Sequence, residues 1–158
     1  MKKGQDTRGY ERYMALNIHR EYILVGAWNE EKDWVLTPRR VSIEKFSEWA
    51  KKNIRSGDIV VLETTTNVWT TYDIVAPLAS RVLVANAAEV SEIANARVKT
   101  DKEDVKRLLK LLVGGIVPEV RVPPMYVREM RAFTSYRGRL VKSGVMIRNR
   151  LQSLLHKT

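Results

Sequence analysis

The sequence predicts an α/β domain built on a mixed five-stranded sheet and followed by a long C-terminal helical arm. Three observations predict this class. Three short apolar runs near the N-terminus, joined by brief polar connections, indicate antiparallel strands. A strand–helix–strand pattern in the middle of the chain indicates parallel pairing. After residue 124, a helical pattern continues to the C-terminus with apolar residues every seven positions.

Length and composition limit the possible classes of protein. With 158 residues and 44% hydrophobic residues, the chain suits one compact domain with an appendage. It has no cysteine, which excludes disulfides, thiolate zinc sites and a cysteine nucleophile. No apolar run approaches the roughly 20 residues that span a bilayer, and residues 1–13 lack the apolar core of a secretory signal. We therefore expect a cytoplasmic protein without membrane partners.

The net charge of +10 is unevenly distributed along the chain. Residues 121–158 hold 9 Lys and Arg and 1 acid, whereas residues 1–120 hold 19 Lys and Arg and 17 acids. A basic segment of this kind points to nucleic acid, although a solvated basic face kept for solubility is the alternative. The side chains that we expect to contact a nucleic-acid backbone are Arg128, Arg131, Arg137, Arg139, Lys142, Arg148 and Arg150.

The first half of the domain is predicted to contain three strands and a helix. Residues 1–12 are predicted to be a flexible arm, because they are polar and charged. Strands are predicted at residues 13–18, 22–28 and 34–36, from their β-branched and aromatic content. Ser42 is predicted to cap a helix that has one apolar side.

The second half of the domain, which we expect to end at residue 120, continues with alternating strands and helices. The four apolar residues 59–62 predict a strand that is buried on both faces, and Glu63 follows at its C-terminal end. A helix over about 68–79 and a strand at 82–84 complete a parallel unit. A short helix is predicted at 87–94.

A further helix is predicted from Asp101 to about Val113, with Thr100 as its N-cap. Asp101 and Asp104 are three residues apart, so they share one face of this helix. Acids in a first helical turn have two interpretations. They stabilise the positive end of the helix dipole, or they bind a divalent cation together with acids from strands.

The element order suggests where these acids lie in space. Three antiparallel strands, a helix and a parallel strand–helix–strand unit follow the order of a ribonuclease H-like sheet, in which the first strand lies beside the fourth. Asn17 and Glu63 would then be neighbours, and the helix carrying Asp101 and Asp104 would pack across them. Carboxylate oxygens suit Mg²⁺ or Mn²⁺. A two-ion site could activate a water or hydroxyl and stabilise the leaving oxygen of a phosphodiester.

The C-terminal segment 121–158 resembles a basic coiled-coil arm with an imperfect seam. Apolar residues recur every seven positions at Phe133, Leu140, Ile147 and Leu154. An arginine and a glycine interrupt the companion row, so a single amphipathic helix folded back on the domain is the alternative. The heptads predict self-association, and a homodimer is the first assembly that we expect. Because the segment lacks a helix stop signal, we expect that it is truncated from a longer parent protein.

Three motifs resemble those of a known family. Residues 99–104, Lys-Thr-Asp-Lys-Glu-Asp, match a Lys-Thr-Asp-x-x-Asp motif, and residues 62–69, Leu-Glu-Thr-Thr-Thr-Asn-Val-Trp, are similar to a Glu-Ala-Thr-Gly element. The third motif combines residues 122–124, Val-Pro-Pro, with residues 140–151, which begin with Leu-Val and end with Arg-Asn-Arg-Leu. Together they resemble the RuvC-like catalytic domain of the DEDD insertion-sequence transposases, the group that includes the Piv DNA invertase. The resemblance covers about residues 13–157.

The resemblance implies four metal-binding acids, of which Glu63, Asp101 and Asp104 would be three. The fourth would be an aspartate on the first strand, and Asn17 stands at that position. An amide oxygen can coordinate a cation but brings no charge, so we expect a weak or inactive catalyst. The substitution either silences the enzyme deliberately or reflects decay of its element. Thr66, where the family tends to have glycine, is a second departure.

The resemblance also implies a second domain and further partners. Full-length members carry a C-terminal domain with a nucleophilic serine, which nothing in this chain matches. The two domains act together in DNA strand exchange, and members can use a structured guide RNA. Three functions therefore stand as hypotheses: a Mg²⁺- or Mn²⁺-dependent DNA recombinase domain, a catalytically silent nucleic-acid-binding module, and a RuvC-like nuclease for junctions or RNA–DNA hybrids.

Overall fold

The computed structural model describes residues 6–65, 67–94 and 101–156, without the side chains of residues 94 and 101. It has an α/β architecture whose two compact units are Met1–Arg121 and Val122–Thr158. The strands are β1 (Arg12–Ile18), β2 (Tyr22–Trp28), β3 (Trp34–Ser42), β4 (Asp58–Glu63) and β5 (Arg81–Ala85). The helices are α1 (Ile43–Asn53), α2 (Val68–Val75), α3 (Ala87–Ala94), α4 (Asp101–Val113) and α5 (Met125–Leu155).

The five strands form one mixed sheet in the order β3-β2-β1-β4-β5. β1 pairs antiparallel with β2, and β2 pairs antiparallel with β3. β1 pairs parallel with β4, and β4 pairs parallel with β5. The predicted mixed five-stranded sheet is therefore confirmed, including the adjacency of the first and fourth strands.

One face of the sheet is covered by α4. Tyr13 and Ala15 of β1 share a buried cluster with Val61 of β4 and with Val105 and Leu109 of α4. Alternate residues of a strand point to opposite faces, so the odd-numbered residues of β1 and β4 face α4. On the other face Met14, Leu16, Val60 and Leu62 are fully buried, and α1 and α2 contact the sheet from that side. The domain thus has three layers, with the central strands buried on both faces.

An absent side chain allows α4 to approach the sheet closely. Gly26 of β2 pairs with Ala15 of β1. A Cβ atom added at Gly26 would lie 2.7 Å from Cγ1 of Val105, which is closer than real Cβ contacts. Gly26 and Ala15 therefore form a low shelf on which the first half of α4 rests.

A buried ion pair joins the beginnings of β1 and β4. Nε of Arg12 donates to one oxygen of Asp58 at 2.8 Å and Nη2 donates to the other at 2.6 Å. The same Nη2 donates to the carbonyl of Asn53 at 2.7 Å, and the backbone N–H of Arg55 donates to Asp58. Because Arg12 and Asp58 are cross-strand partners, this pair fixes the register of β1 on β4.

Several boundaries differ from the predicted ones. β3 extends to Ser42 instead of ending at 36, because its whole length pairs with β2. Ser42 occupies the N-cap position of α1, but its side chain makes no capping hydrogen bond. α2 ends at Val75, before the predicted residue 79. The predicted N-cap Thr100 lies outside the described residues.

The predicted flexible arm is wrong for residues 6–12. Thr7 is buried, and its carbonyl accepts a hydrogen bond from the Tyr13 hydroxyl at 2.9 Å. The N–H of Glu11 donates to the carbonyl of Gly57 at 3.1 Å. Polar composition alone does not reveal that this segment satisfies its backbone groups against the domain. Residues 1–5 of the predicted arm lie outside the described residues.

The end of α4 is a Schellman motif at the pair Gly114 and Gly115. Gly115 has a φ of 63°, in the left-handed region that favours glycine. The N–H of Ile116 donates to Leu111 and that of Gly115 donates to Leu112, both at 3.1 Å. This turn ends α4. The chain then runs to β5, and residues 118–120 form hydrogen bonds along the free edge of that strand.

The second unit consists chiefly of α5, a helix of 31 residues. The helix α5 contains no buried residue, and its apolar side chains are largely exposed. None of the helices in the described ranges combines the length and apolar character needed to cross a bilayer.

Candidate functional site

Asn17 and Glu63 lie side by side at the carboxyl ends of two parallel strands. The last pair in the β1–β4 register is Leu16 with Leu62, one residue before each of them. Asn17 and Glu63 are odd-numbered, like the residues of β1 and β4 that face α4. Both side chains therefore belong to the α4 side of the sheet. Asn17 is 6% exposed and Glu63 is half-buried. The predicted adjacency of these positions is supported by the observed register.

This location is a switch point in the sheet topology. From its carboxyl end β1 connects to β2 on one side, whereas β4 connects through α2 to β5 on the other. The diverging connections open a crevice, which is where ligands of α/β sheets bind. A cleft of about 470 Å³ lies there. Its lining residues are Ile18, His19, Arg20, Thr65 and Asn67.

Asp104 is held on α4, and its carboxylate is already paired. Asp104 is 8% exposed, and Arg107, one turn later on the same helix, forms an ion pair with it. The i,i+3 spacing of this pair was visible in the sequence, but sequence analysis did not single out Arg107. Asp101 is the first residue of α4, and its side chain lies outside the described residues.

The described side chains only partly assemble the predicted site. Asn17 and Glu63 are neighbours, and the helix that bears Asp104 contacts β1, β2 and β4 on their face of the sheet. Within the described part of the chain, no three His, Asp or Glu side chains are grouped closely enough to hold a metal ion. The side chain of Asp101 lies outside the described residues and Asn17 is an amide, so the predicted four-residue site stays a prediction.

The side-chain amide of Asn17 is nearly buried without a hydrogen bond to another described residue. Its neighbours on the α4 face include Leu24, the partner of Asn17 on β2. The amide oxygen is a candidate ligand for a cation or an ordered water.

The loop after Glu63 is tied to α3. The N–H of Thr64 donates to the carbonyl of Ala85 at 2.9 Å, and its hydroxyl accepts from the N–H of Ala87 at 3.0 Å. The Thr64 hydroxyl therefore caps the start of α3, which is a structural role. Thr66, the second departure from the family motif, lies outside the described residues.

The predicted nucleic-acid-binding residues all lie on α5, and Arg128 alone among them is half-buried. At about 100° per residue, five of them fall within an arc of about 100°. These five are Arg128, Arg131, Arg139, Lys142 and Arg150. Arg137 and Arg148 lie on the other side, beside the heptad stripe of Phe133 and Leu140. The helix thus has a basic face opposite an apolar one.

Comparison with known proteins adds no family: no protein-family model matches the chain. No curated protein matches it significantly either.

Proposed function

We propose that this chain is the N-terminal catalytic domain of a DNA transposase or site-specific recombinase of the DEDD type, in which Asn17 impairs metal-dependent strand cleavage. The observation that carries this proposal is the placement of Asn17 and Glu63. They end adjacent parallel strands, on the face across which α4 brings Asp104. The strand order with β2 antiparallel also supports a ribonuclease H-like, RuvC-like fold for residues 13–120.

The oxygen donors at this point fit a hard cation. Glu63, Asp101 and Asp104 offer carboxylates and Asn17 offers an amide oxygen, which is the ligand chemistry of Mg²⁺ and Mn²⁺. When bound, such ions would stabilise the charge that develops on a phosphodiester during cleavage. The role of the protein is to hold these donors on rigid elements, with α4 seated on the shelf of Gly26 and Ala15.

Two features weaken cation binding in the chain as it stands. Asn17 removes one negative charge from the site. Arg107 already neutralises Asp104, so a metal ion must displace a guanidinium to use that carboxylate. Both features lower the affinity for a second positive charge, which explains why activity should be weak.

The substitution Asn17→Asp tests the proposal. With the carboxylate restored, we expect Mg²⁺-dependent cleavage of DNA strands to appear or rise at least tenfold. Since a ligand that binds only the folded state raises its stability, we also expect Mn²⁺ to raise the Tm of this variant more than that of the parent chain. The double variant Asn17→Asp, Glu63→Gln is the matched control and should lose both gains. Neither cleavage nor a Mn²⁺-dependent rise in Tm in Asn17→Asp would overturn the enzyme assignment.

A catalytically silent nucleic-acid-binding module is the second candidate. The Asp104–Arg107 pair favours it, because it sets a positive charge against this carboxylate without any metal. This candidate predicts DNA binding that is independent of Mg²⁺ and unchanged by Asn17→Asp. The third hypothesis, a junction or hybrid nuclease, shares the acids but gives no role to the basic arm.

The two faces of α5 suggest the partners of this module. Its basic face suits a DNA backbone, or the backbone of a structured guide RNA. Its exposed apolar stripe suits a second copy of the same helix, which would form a homodimer. DNA as a partner agrees with the cytoplasmic location expected from the sequence.

A further inference from the structure

A second basic surface lies far along the chain from α5, in the groove between the edge strand β3 and the helix α1. The groove has a volume of about 400 Å³. It is lined by Arg39, Arg40, Val41, Ser42, Lys45, Glu48, Trp49, Lys52 and Asn53. Its walls therefore contain four cations and one acid. We call it the β3–α1 groove.

The β3–α1 groove lies in one of the basic segments of the domain. Residues 39–52 contain five Lys and Arg and two acids, a net charge of +3. Residues 1–120 as a whole have a net charge of +2, so the remainder of the domain has a net charge of −1. A segment with an excess of cations of this size fits contact with a polyanion.

The cations converge because of the geometry of both elements. Arg39 pairs with Val25 of β2, which places it on the face of the sheet that α1 covers. Lys45 and Lys52 are seven residues apart on α1, so they lie on one side of the helix about 10.5 Å apart along its axis. That distance is close to three base-pair steps of about 3.4 Å each along the axis of B-DNA.

Ordinary structural roles do not explain these residues together. Charges on an edge strand prevent pairing with other sheets, which could account for Arg39, and cations in a last helical turn favour the helix dipole, which could account for Lys52. Lys45 is in the first turn of α1, where a cation is unfavourable. No carboxylate of the described residues forms an ion pair with any of these three side chains.

From these observations we propose that the β3–α1 groove binds the phosphate backbone of duplex DNA as a contact additional to α5. The proposal rests on the proposed DNA-acting function. A duplex is favoured over a single strand, because single strands bind through aromatic platforms on which bases stack. Trp49, the aromatic residue in the lining, is half-buried and stacked on Phe46 at 5.9 Å.

The test is the salt dependence of duplex DNA binding by the full chain. The groove variant Arg39→Gln, Lys45→Gln, Lys52→Gln removes three cations. The slope of log K against log salt falls by about 0.9 for each phosphate that the protein no longer neutralises. We therefore expect the slope of the groove variant to fall by about 2 to 3.

The matched control is the variant Lys32→Gln, Lys51→Gln, Arg55→Gln. It removes three exposed cations that do not line the groove, and it should leave the slope nearly unchanged. Lys51 and Lys52 give the sharpest single comparison, because they are adjacent on α1 and only Lys52 lines the groove. Equal effects of Lys51→Gln and Lys52→Gln on the slope would overturn the groove as the binding site and would indicate diffuse electrostatic attraction instead.

The remaining outcomes separate this proposal from the proposed function. A normal slope in the groove variant, with loss of binding in Arg139→Gln, Lys142→Gln, Arg150→Gln, would overturn the groove and leave the proposed function standing. An absence of DNA binding by the parent chain would overturn both. Tighter binding of a single strand than of a duplex, abolished in the groove variant, would overturn the duplex as occupant.

Discussion

At the scale of single residues, the ion pair of Arg12 and Asp58 is the most consequential contact that sequence analysis missed. Asp58 is fully buried, and its two oxygens accept from the guanidinium and from a backbone N–H. Removing one partner of a buried pair leaves an uncompensated charge. The pair therefore matters for stability mainly because removal of either partner would leave the charge of the other unpaired.

We predict that Arg12→Ala lowers the free energy of unfolding by about 3–5 kcal/mol, measured by urea denaturation. Arg8→Ala is the control, because Arg8 pairs with Asp6 in an exposed position, with side chains 94% and 81% exposed. An exposed pair is worth about 0–1 kcal/mol. Similar losses in both variants would show that the buried pair contributes little beyond ordinary surface charge.

Ionisation of the Tyr13 phenol makes the stability of the domain depend on pH in the alkaline range. Burial, and secondarily the charge of Glu30, raise the pKa of this phenol above its ordinary value of 10.0. Above pH 10 the unfolded chain releases the proton while the folded chain retains it, so the free energy of unfolding falls as pH rises. We expect Tyr13→Phe to flatten this fall in urea denaturation between pH 9 and pH 11. An equally steep fall in the variant would assign it to other groups.

At the scale of secondary-structure elements, the position of α4 determines whether its acids reach the sheet. α4 rests on Gly26 and Ala15, and a larger side chain at either position would lift it from the strands. The Schellman turn at Gly115 then stops the helix. Two glycines, one beneath the helix and one after it, thus define where Asp101 and Asp104 can lie.

We predict that Gly26→Ala destabilises the domain by about 1–3 kcal/mol, the usual effect of overpacking a core. The added methyl would meet Cγ1 of Val105, so Val105→Ala should relieve part of the cost in the double variant. Urea denaturation of the four proteins in this double-mutant cycle gives the coupling energy. Additive effects would show that α4 does not rest on this position.

At the scale of the whole molecule, a compact domain and a long exposed helix carry complementary chemistry. The domain places oxygen donors at a sheet switch point and cations in the β3–α1 groove. The helix presents a basic face and an apolar stripe that no residue of the described chain buries. Exposed apolar stripes of this length usually mark an interaction surface.

We predict that the chain dimerises through the apolar stripe of α5. The double substitution Leu140→Asp, Ile147→Asp should convert the dimer to a monomer in sedimentation equilibrium, because it places charges in the seam. Met146→Asp is the matched control, since Met146 is exposed on the basic side of the same helix. Sedimentation of the parent chain as a monomer would contradict the prediction.

Local patterns predicted the strands and helices well because they depend on neighbouring residues. The run at residues 59–62 lies in the doubly buried β4, and the seven-residue repeat lies in the unbroken helix α5. Boundaries and arms were less predictable. The length of β3 and the docking of residues 6–11 depend on hydrogen bonds to distant residues.

Four features follow from the amino-acid sequence, because each is a property of adjacent residues. They are the element order, the parallel unit, the position of Glu63 at a strand end and the basic character of the tail. The folded domain was needed to establish the strand register behind the predicted proximity of Asn17 and Glu63. It was also needed to see that Arg107 pairs with Asp104 and that cations of β3 and α1 line one groove. Such relations depend on strand register and helix packing, which are set by contacts between residues far apart in the chain.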